Sequence, residues 1–328
     1  MRKCDVEKVT TKQSNFQFLT IVAAVIFAAF FVLSSAAQTV TTNDKEIPNG
    51  AIAADEVRFA ALGDTGTGNS EQRAVAEQML AVQRRSRFDL TLFLGDNIYE
   101  SGSPREIEKK FLKPYRGLLQ NGVEMRGAIG NHDARSETGV LLQQLIFGMG
   151  AKTYYSFVKN DYLIEFFALD STILINEAND PAREAQLRWF ENRLAESKGV
   201  WKIVFLHHPL YSSAKRHGNT SSDAKDVLRL RQSIEPLLVK YAVDIVLSGH
   251  DHVYERPQMQ AGIQYFTSGT GGKLRRGNLI KTSPFFRFGN DEENSFMLFS
   301  VTPRAAQFWS IGSTGAILDG GELTKRSD

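Results

Sequence analysis

Five short stretches of the chain present metal-type donors at the ends of apolar runs: Gly63-Asp64-Thr65-Gly66, Gly95-Asp96-Asn97-Ile98-Tyr99, Gly130-Asn131-His132-Asp133, Val204-Phe205-Leu206-His207 and Gly249-His250-Asp251-His252. Oxygens from Asp, Asn and Tyr mixed with imidazole nitrogens suit a hard or borderline first-row ion. The sole cysteine, Cys4, precedes all five stretches, so no thiolate belongs to the set. Seven candidate ligands, Asp64, Asp96, Tyr99, Asn131, His207, His250 and His252, exceed the needs of one tetrahedral site. Two ions sharing a carboxylate use them all, and a pair about 3.5–4 Å apart is the usual arrangement for displacement at phosphorus. Asp96 and Tyr99 are three residues apart, close enough for both to reach one ion. The six histidines, His132, His207, His208, His217, His250 and His252, all lie in or near these motifs. A lone histidine is commonly a satisfied structural residue, but the concentration of the whole set in these loops argues against that for the group.

Strands must position these residues. Apolar runs at 57–62, 90–94, 124–129, 163–169, 201–206 and 245–247 are rich in β-branched and aromatic residues, and most end in Gly, Asp, Asn or His. Between them, 70–85 and 184–197 read as helices, the second with Leu187, Phe190 and Leu194 on one face and Trp189 and Phe190 as core. From Ile263 onward the pattern becomes strand-rich, without long helices. This predicts an α/β, α+β-like four-layer sandwich: two packed mixed β-sheets flanked by helices. Asp170, at a strand end, reads as a structural hydrogen-bonding residue.

The chain has 328 residues, 42% hydrophobic and 23% charged, which excludes a disordered or fibrous protein. Residues 1–15 carry Arg2, Lys3, Lys8 and Lys12 against Asp5 and Glu7, and 16–37 holds no charge. That order addresses the export machinery. The small residues Ser35 and Ala37 suit cleavage of a signal peptide, while about 20 apolar residues also suffice for a retained membrane anchor. Either way the main domain is expected outside the cytoplasm, secreted or periplasmic if cleaved and anchored if not. The membrane enters only through 16–37. Residues 1–37 hold 4 of the 39 basic and 2 of the 37 acidic side chains, leaving 35 of each, so nothing general favours nucleic acid. The expected organisation is 1–37 signal or anchor, 38–54 linker, 55–320 catalytic domain and 321–328 tail.

In this order and at this spacing, the five motifs resemble those of the calcineurin-like metallophosphoesterases. Tyr99 within Gly-Asp-Asn-Ile-Tyr narrows the resemblance to the purple acid phosphatases, and the short segment before the first motif to their small, mammalian-type, tartrate-resistant branch. The resemblance implies the metallophosphoesterase fold and a dinuclear centre with two ions per chain. Asp64, Tyr99 and His252 would hold Fe(III), Asn131, His207 and His250 a divalent Fe, Zn or Mn, and Asp96 would bridge. A hard tyrosinate stabilises ferric iron, which gives that assignment its physical basis. A hydroxide generated at the metals would attack phosphorus. The resemblance also sets His132 and His217 beside the substrate, with Asp133 orienting His132. His208 would line the pocket. The implied activity is an exported acid phosphatase, a metal-dependent phosphoric monoester hydrolase acting on small-molecule or protein phosphomonoesters, with no obligate protein partner evident.

Two other readings remain. A phosphodiesterase or nucleotide-cleaving enzyme of the same superfamily usually lacks the tyrosine, and a non-catalytic binding protein would have lost ligands, of which none is missing. The stretch 271–290 carries Lys273, Arg275, Arg276, Lys281 and Arg287 with three phenylalanines. It reads either as a solvated surface loop or as a positively charged rim attracting phosphorylated substrates.

Overall fold

Parallel strands buried on both faces read as near-continuous apolar runs, and the runs 57–62 and 90–94 are such strands: β2 (Val57–Leu62) and β3 (Leu90–Leu94) are buried along their whole length. The computed structural model describes residues 40–41, 46–218 and 224–326. The charged and apolar segment 1–37, with Cys4, lies outside them. Among the described residues no helix is long and apolar enough to cross a membrane.

The remaining strands are β1 (Val40–Thr41), β4 (Glu124–Ala128), β5 (Tyr155–Lys159), β6 (Ile164–Ala168), β7 (Trp201–Phe205), β8 (Ile245–Ser248), β9 (Tyr254–Pro257), β10 (Gln264–Ser268), β11 (Phe286–Asn290), β12 (Ser295–Val301), β13 (Ala305–Gly312) and β14 (Ile317–Thr324). They form two seven-stranded sheets, β1-β14-β13-β12-β2-β3-β4 and β11-β9-β10-β8-β7-β6-β5. In the first, β2, β3 and β4 run parallel; in the second, β6, β7, β8 and β10 do. Antiparallel strands complete one side of the first sheet and both sides of the second, so both sheets are mixed.

The sheets pack face to face through phenylalanines. Phe59 of β2 stacks on Phe299 of β12, with ring centroids 4.8 Å apart, and meets Phe166 of the other sheet edge-on at 5.1 Å. Phe266 joins Phe299 and Phe308 in the same layer. Alternation along β6 then turns Phe167 to the outer face, where it packs with Phe190 and Leu194 of α5 (Pro181–Glu196) and Leu230 and Ile234 of α6 (Ala224–Lys240). On the outside of the first sheet, Phe93 meets Phe111, Tyr115 of α2 (Lys113–Gln120) and Phe147 of α3 (Glu137–Phe147). Helix α1 (Ser70–Arg85) adds Val75 and Met79 to that layer. Two helical layers thus enclose two sheets, the metallophosphoesterase fold.

Helix starts follow local chemistry. Asn69 caps α1 by accepting from Gln72 N–H. Asp180 caps α5 by accepting from Ala182 and Arg183, with Pro181 at the first position, where its missing donor is harmless. Asp170 accepts from Thr172 N–H at the start of α4 (Ser171–Leu174) and from the Thr153 hydroxyl, a structural role.

The compact unit runs over Gln38–Lys325. Its sheet extends into both flanks: β14 reaches Thr324, past the expected end at 320, and β1, within the expected linker, pairs antiparallel with it. Ile47 is buried. Main-chain pairing along an edge carries these residues into the sheet, and their polar composition gives no sign of it.

Candidate metal centre

Every donor loop leaves the C-terminal end of a parallel strand, where ligands bind in open α/β sheets. Asp64 follows β2, Asp96 and Tyr99 follow β3, and Asn131 follows β4, all in the first sheet. His207 follows β7, and His250 and His252 follow β8, in the second. Oxygen donors therefore come from one sheet and nitrogen donors from the other.

Hydrogen bonds join the two halves. His207, fully buried, donates from Nδ1 to the Leu94 carbonyl at the end of β3, 2.9 Å away. This turns its Nε2 toward Asn131 Oδ1 at 3.1 Å, His250 Nδ1 at 3.1 Å and Asp96 Oδ1 at 3.5 Å. Asp64, also fully buried, accepts from the Tyr99 hydroxyl at 2.7 Å and the His250 backbone N–H at 2.6 Å, with His252 Nε2 at 3.3 Å. Tyr99 Oη lies 3.2 Å from His252 Nε2.

The close approach depends on glycine and on unusual backbone. A Cβ on Gly130 would lie 2.3 Å from Asp96 Oδ1, and one on Gly249 would lie 2.7 Å from Asp64 Oδ2. Asp64, Asp96, His250 and His252 all sit at positive φ, between 51° and 74°. Such conformations disfavour non-glycine residues and persist where surrounding structure over-determines them, commonly at functional sites.

Metal ions fit this arrangement on its own terms. The Oδ1 atoms of Asn131 and Asp96 converge on His207 Nε2, and acceptors gathered this closely favour a shared cation. Asp64, Asp96 and His207 offer ligand atoms within 4.8 Å of one another, as do His207, His208 and His250. Electrostatics agree. Burial works against ionisation of Asp64, yet the neighbouring His252 holds its carboxyl below the usual value. Burial likewise opposes charging of His207, but Asp96 and Asp64 outweigh it and raise its pKa. Burial, together with Asp64 and Asp96, pushes the Tyr99 phenol far up. A multivalent cation inverts the last effect by favouring the phenolate.

The flanking residues divide. His132 donates its backbone N–H to Asp96 Oδ1, and its ring meets Tyr99 edge-on at 4.7 Å. The His217 ring lies 4.6 Å from that of His250, at the other end of the cluster. Asp133 does not orient His132. Its carboxylate accepts from the backbone N–H groups of Asn97, Ile98 and Gly130 and from the side chains of Asn97 and Gln143, which locks two donor loops together. Burial and the nearby Asp96 push its pKa up to about 6. The partner of His132 Nδ1 is the Glu100 carbonyl, at 2.7 Å.

Sequence reasoning placed His208 only as pocket lining and Lys273 only in a basic stretch, and it overlooked Lys110. His208 holds Ser171 Oγ at 2.9 Å and stands 4.4 Å from His250, and burial, with His207 beside it, keeps its pKa well below normal. Lys273 lies 3.5 Å over the Tyr99 ring, and Lys110 donates to the Tyr99 carbonyl. A lysine directly after a glycine pair in a donor-adjacent loop was the available signal for Lys273.

Comparison with known proteins defines the class. The family model for calcineurin-like phosphoesterases matches residues 57–254, and the chain belongs to that family. Within it, the chain is similar to the acid phosphatases that carry the purple and tartrate-resistant names. Purple acid phosphatase 17 of Arabidopsis thaliana is 29% identical over 248 residues, 68% of this chain and 70% of the relative. Tartrate-resistant acid phosphatase type 5 of Oryctolagus cuniculus is 27% identical over 310 residues, 83% and 92%. The fold is shared with purple acid phosphatase PPD1 of yellow lupin, at TM-score 0.67 and 20% identity over 82% of this chain and 54% of that one. It is also shared with GAP50, the anchor in the inner membrane complex of Plasmodium, at TM-score 0.70 and 18% identity over 83% and 90%.

Proposed function

We propose that the protein is an exported acid phosphatase that hydrolyses phosphate monoesters at a dinuclear Fe(III)–M(II) centre. What supports this reading is the convergence of seven oxygen and nitrogen donors, from five loops on two sheets, in one cluster where Asp64, Asp96, Tyr99 and His207 are buried and Asn131, His250 and His252 half-buried. Asp64, Tyr99 and His252 would hold the ferric ion, Asn131, His207 and His250 the divalent one, and Asp96 would bridge them. When bound, the two ions supply Lewis acidity toward phosphoryl oxygens and a water acidic enough to ionise near neutrality.

The chain's own side chains do the rest. His132 and His217 flank the cluster at opposite ends, where they bind phosphoryl oxygens and deliver a proton to the departing alkoxide. The Glu100 carbonyl accepts from His132 Nδ1, which leaves Nε2 for the substrate. Export rests on the charged and apolar order of residues 1–37.

Elemental analysis together with a phosphomonoester assay across pH tests metal content and reaction at once. The loaded protein should show a visible tyrosinate-to-iron band that Tyr99→Phe abolishes; an active but colourless enzyme would sink the iron assignment. Turnover of p-nitrophenyl phosphate should far exceed that of its bis ester, and the reverse order would indicate a diesterase.

A further inference from the structure

Tyr99 forms one wall of a cleft of about 800 Å³ bounded by the loops after β2, β3 and β10. Its charged lining is unbalanced: Lys110, Lys273, Arg275 and Arg276 face only Glu71 and Glu100. The cations differ in how far they are neutralised. Lys110 is occupied by the Tyr99 carbonyl and by Glu106 at 3.1 Å. Arg276 pairs with Glu292 at 2.8 Å, but both side chains are 67% exposed, so solvent screens the pair. Lys273 reaches only the well-exposed Glu100, at 3.6 Å, too long for a good hydrogen bond. Arg275 keeps a buried Nη1 with no hydrogen-bond partner.

The basic loop is fixed to the metal donors. Gly271 donates its N–H to the Gly63 carbonyl, and Arg275 to the His252 carbonyl, each at 3.0 Å. Lys273 lies against the face of the Tyr99 ring, whose hydroxyl points to Asp64. The Lys273 ammonium thus stands beside the phenol at the edge of the metal donors, and the cleft continues past it to Arg275 and Arg276, which gives room for a second anion a few bonds along the same molecule.

We propose that this cleft is a second anion subsite in which Lys273 and Arg275 bind another phosphate of the substrate. The enzyme then favours phosphomonoesters that carry a further phosphoryl group over singly phosphorylated ones. The inference rests on the phosphatase reading above and adds the substrate class. It also divides the stretch 271–290: Lys273, Arg275 and Arg276 belong to the cleft, whereas Lys281 and Arg287 do not line it.

The test compares kcat/KM of the metal-loaded full chain for a hexose monophosphate and the matching hexose bisphosphate. Wild type should favour the bisphosphate by about tenfold at low ionic strength, with the preference shrinking as salt rises. Lys273→Gln should reduce the preference about fivefold through the KM for the bisphosphate, and Lys273→Arg should keep it. A wild type without preference, or a Lys273→Gln loss equal for both substrates, overturns the subsite. Calorimetric titration of the same proteins with the bisphosphate reads binding without turnover: weaker binding to Lys273→Gln is expected, and equal binding overturns the proposal. Monophosphate turnover tests the phosphatase reading separately. A protein that binds the bisphosphate through Lys273 yet hydrolyses neither ester sinks that reading and leaves the subsite standing.

Discussion

Asp133 and His132 are neighbours in sequence with separate duties. The carboxylate is buried and tied to Asn97, Ile98, Gly130 and Gln143, whereas the imidazole leans on Tyr99 and the Glu100 carbonyl. Asp133→Ala strands three buried backbone N–H groups, and each loses on the order of 1–3 kcal/mol of satisfied bonding. It should lower stability by at least about 3 kcal/mol in a denaturant titration. An orienting role for His132 would instead alter the pH–rate profile at unchanged stability. The Asn-His-Asp order invites the reading of an acid–imidazole pair, because adjacent residues are all that a linear text displays. Apart from Gly130, three positions back, the true partners lie ten to thirty-six positions away and become visible only when the loops after β3 and β4 meet. The donors themselves were legible, since Asp, Tyr, Asn and His after glycine or an apolar run differ sharply from core-forming residues.

Strands and loops carry different amounts of this information. Strands β2 and β3 match their apolar runs end to end, because burial on both faces demands uninterrupted hydrophobic residues. Strand β14, read as Ile-Leu-Asp-Gly-Gly-Glu-Leu-Thr, does not announce itself. Its place is set by pairing with β13, from Ala305 opposite Thr324 to Ile311 opposite Ile317, a non-local relation that composition does not encode. Helix α3 was missed for a related reason: Leu141 and Leu145 on its outer side are 61% and 81% exposed, which blurs the amphipathic pattern. The loops depend on steric room. In Gly249→Ala the new methyl would lie 2.7 Å from Asp64 Oδ2 and 2.9 Å from the Leu94 carbonyl, so the His250 and Asp64 loops must part. A stability loss of about 1–3 kcal/mol is expected. The metal-to-protein ratio after dialysis should fall with it, and full metal retention would show that the loops tolerate the displacement.

At the scale of the molecule, buried acid groups set a pH dependence that does not involve the metal donors. Glu255 of β9 is fully buried and accepts from Ser213 N–H at 2.8 Å. Burial pushes its pKa from 4.5 up to about 7. The folded chain therefore holds this proton more tightly than the unfolded one. Its contribution is complete below pH 4.5 and is lost as pH rises toward about 7. The difference amounts to roughly 3 kcal/mol. Glu255→Gln should flatten the unfolding midpoint across that window and make the variant the more stable protein at neutral pH. Parallel curves for the two proteins would remove Glu255 from the account.

The division of donors between the sheets bears on dimension. Hard oxygens ride on β2, β3 and β4, imidazoles on β7 and β8, and the aromatic layer around Phe59, Phe166 and Phe299 spaces the strands that carry them. That layer works as a gauge block. On the proposed dinuclear reading, altering a ring deep in that layer would shift the two sets of strand ends against each other and so change the spacing available to two cations.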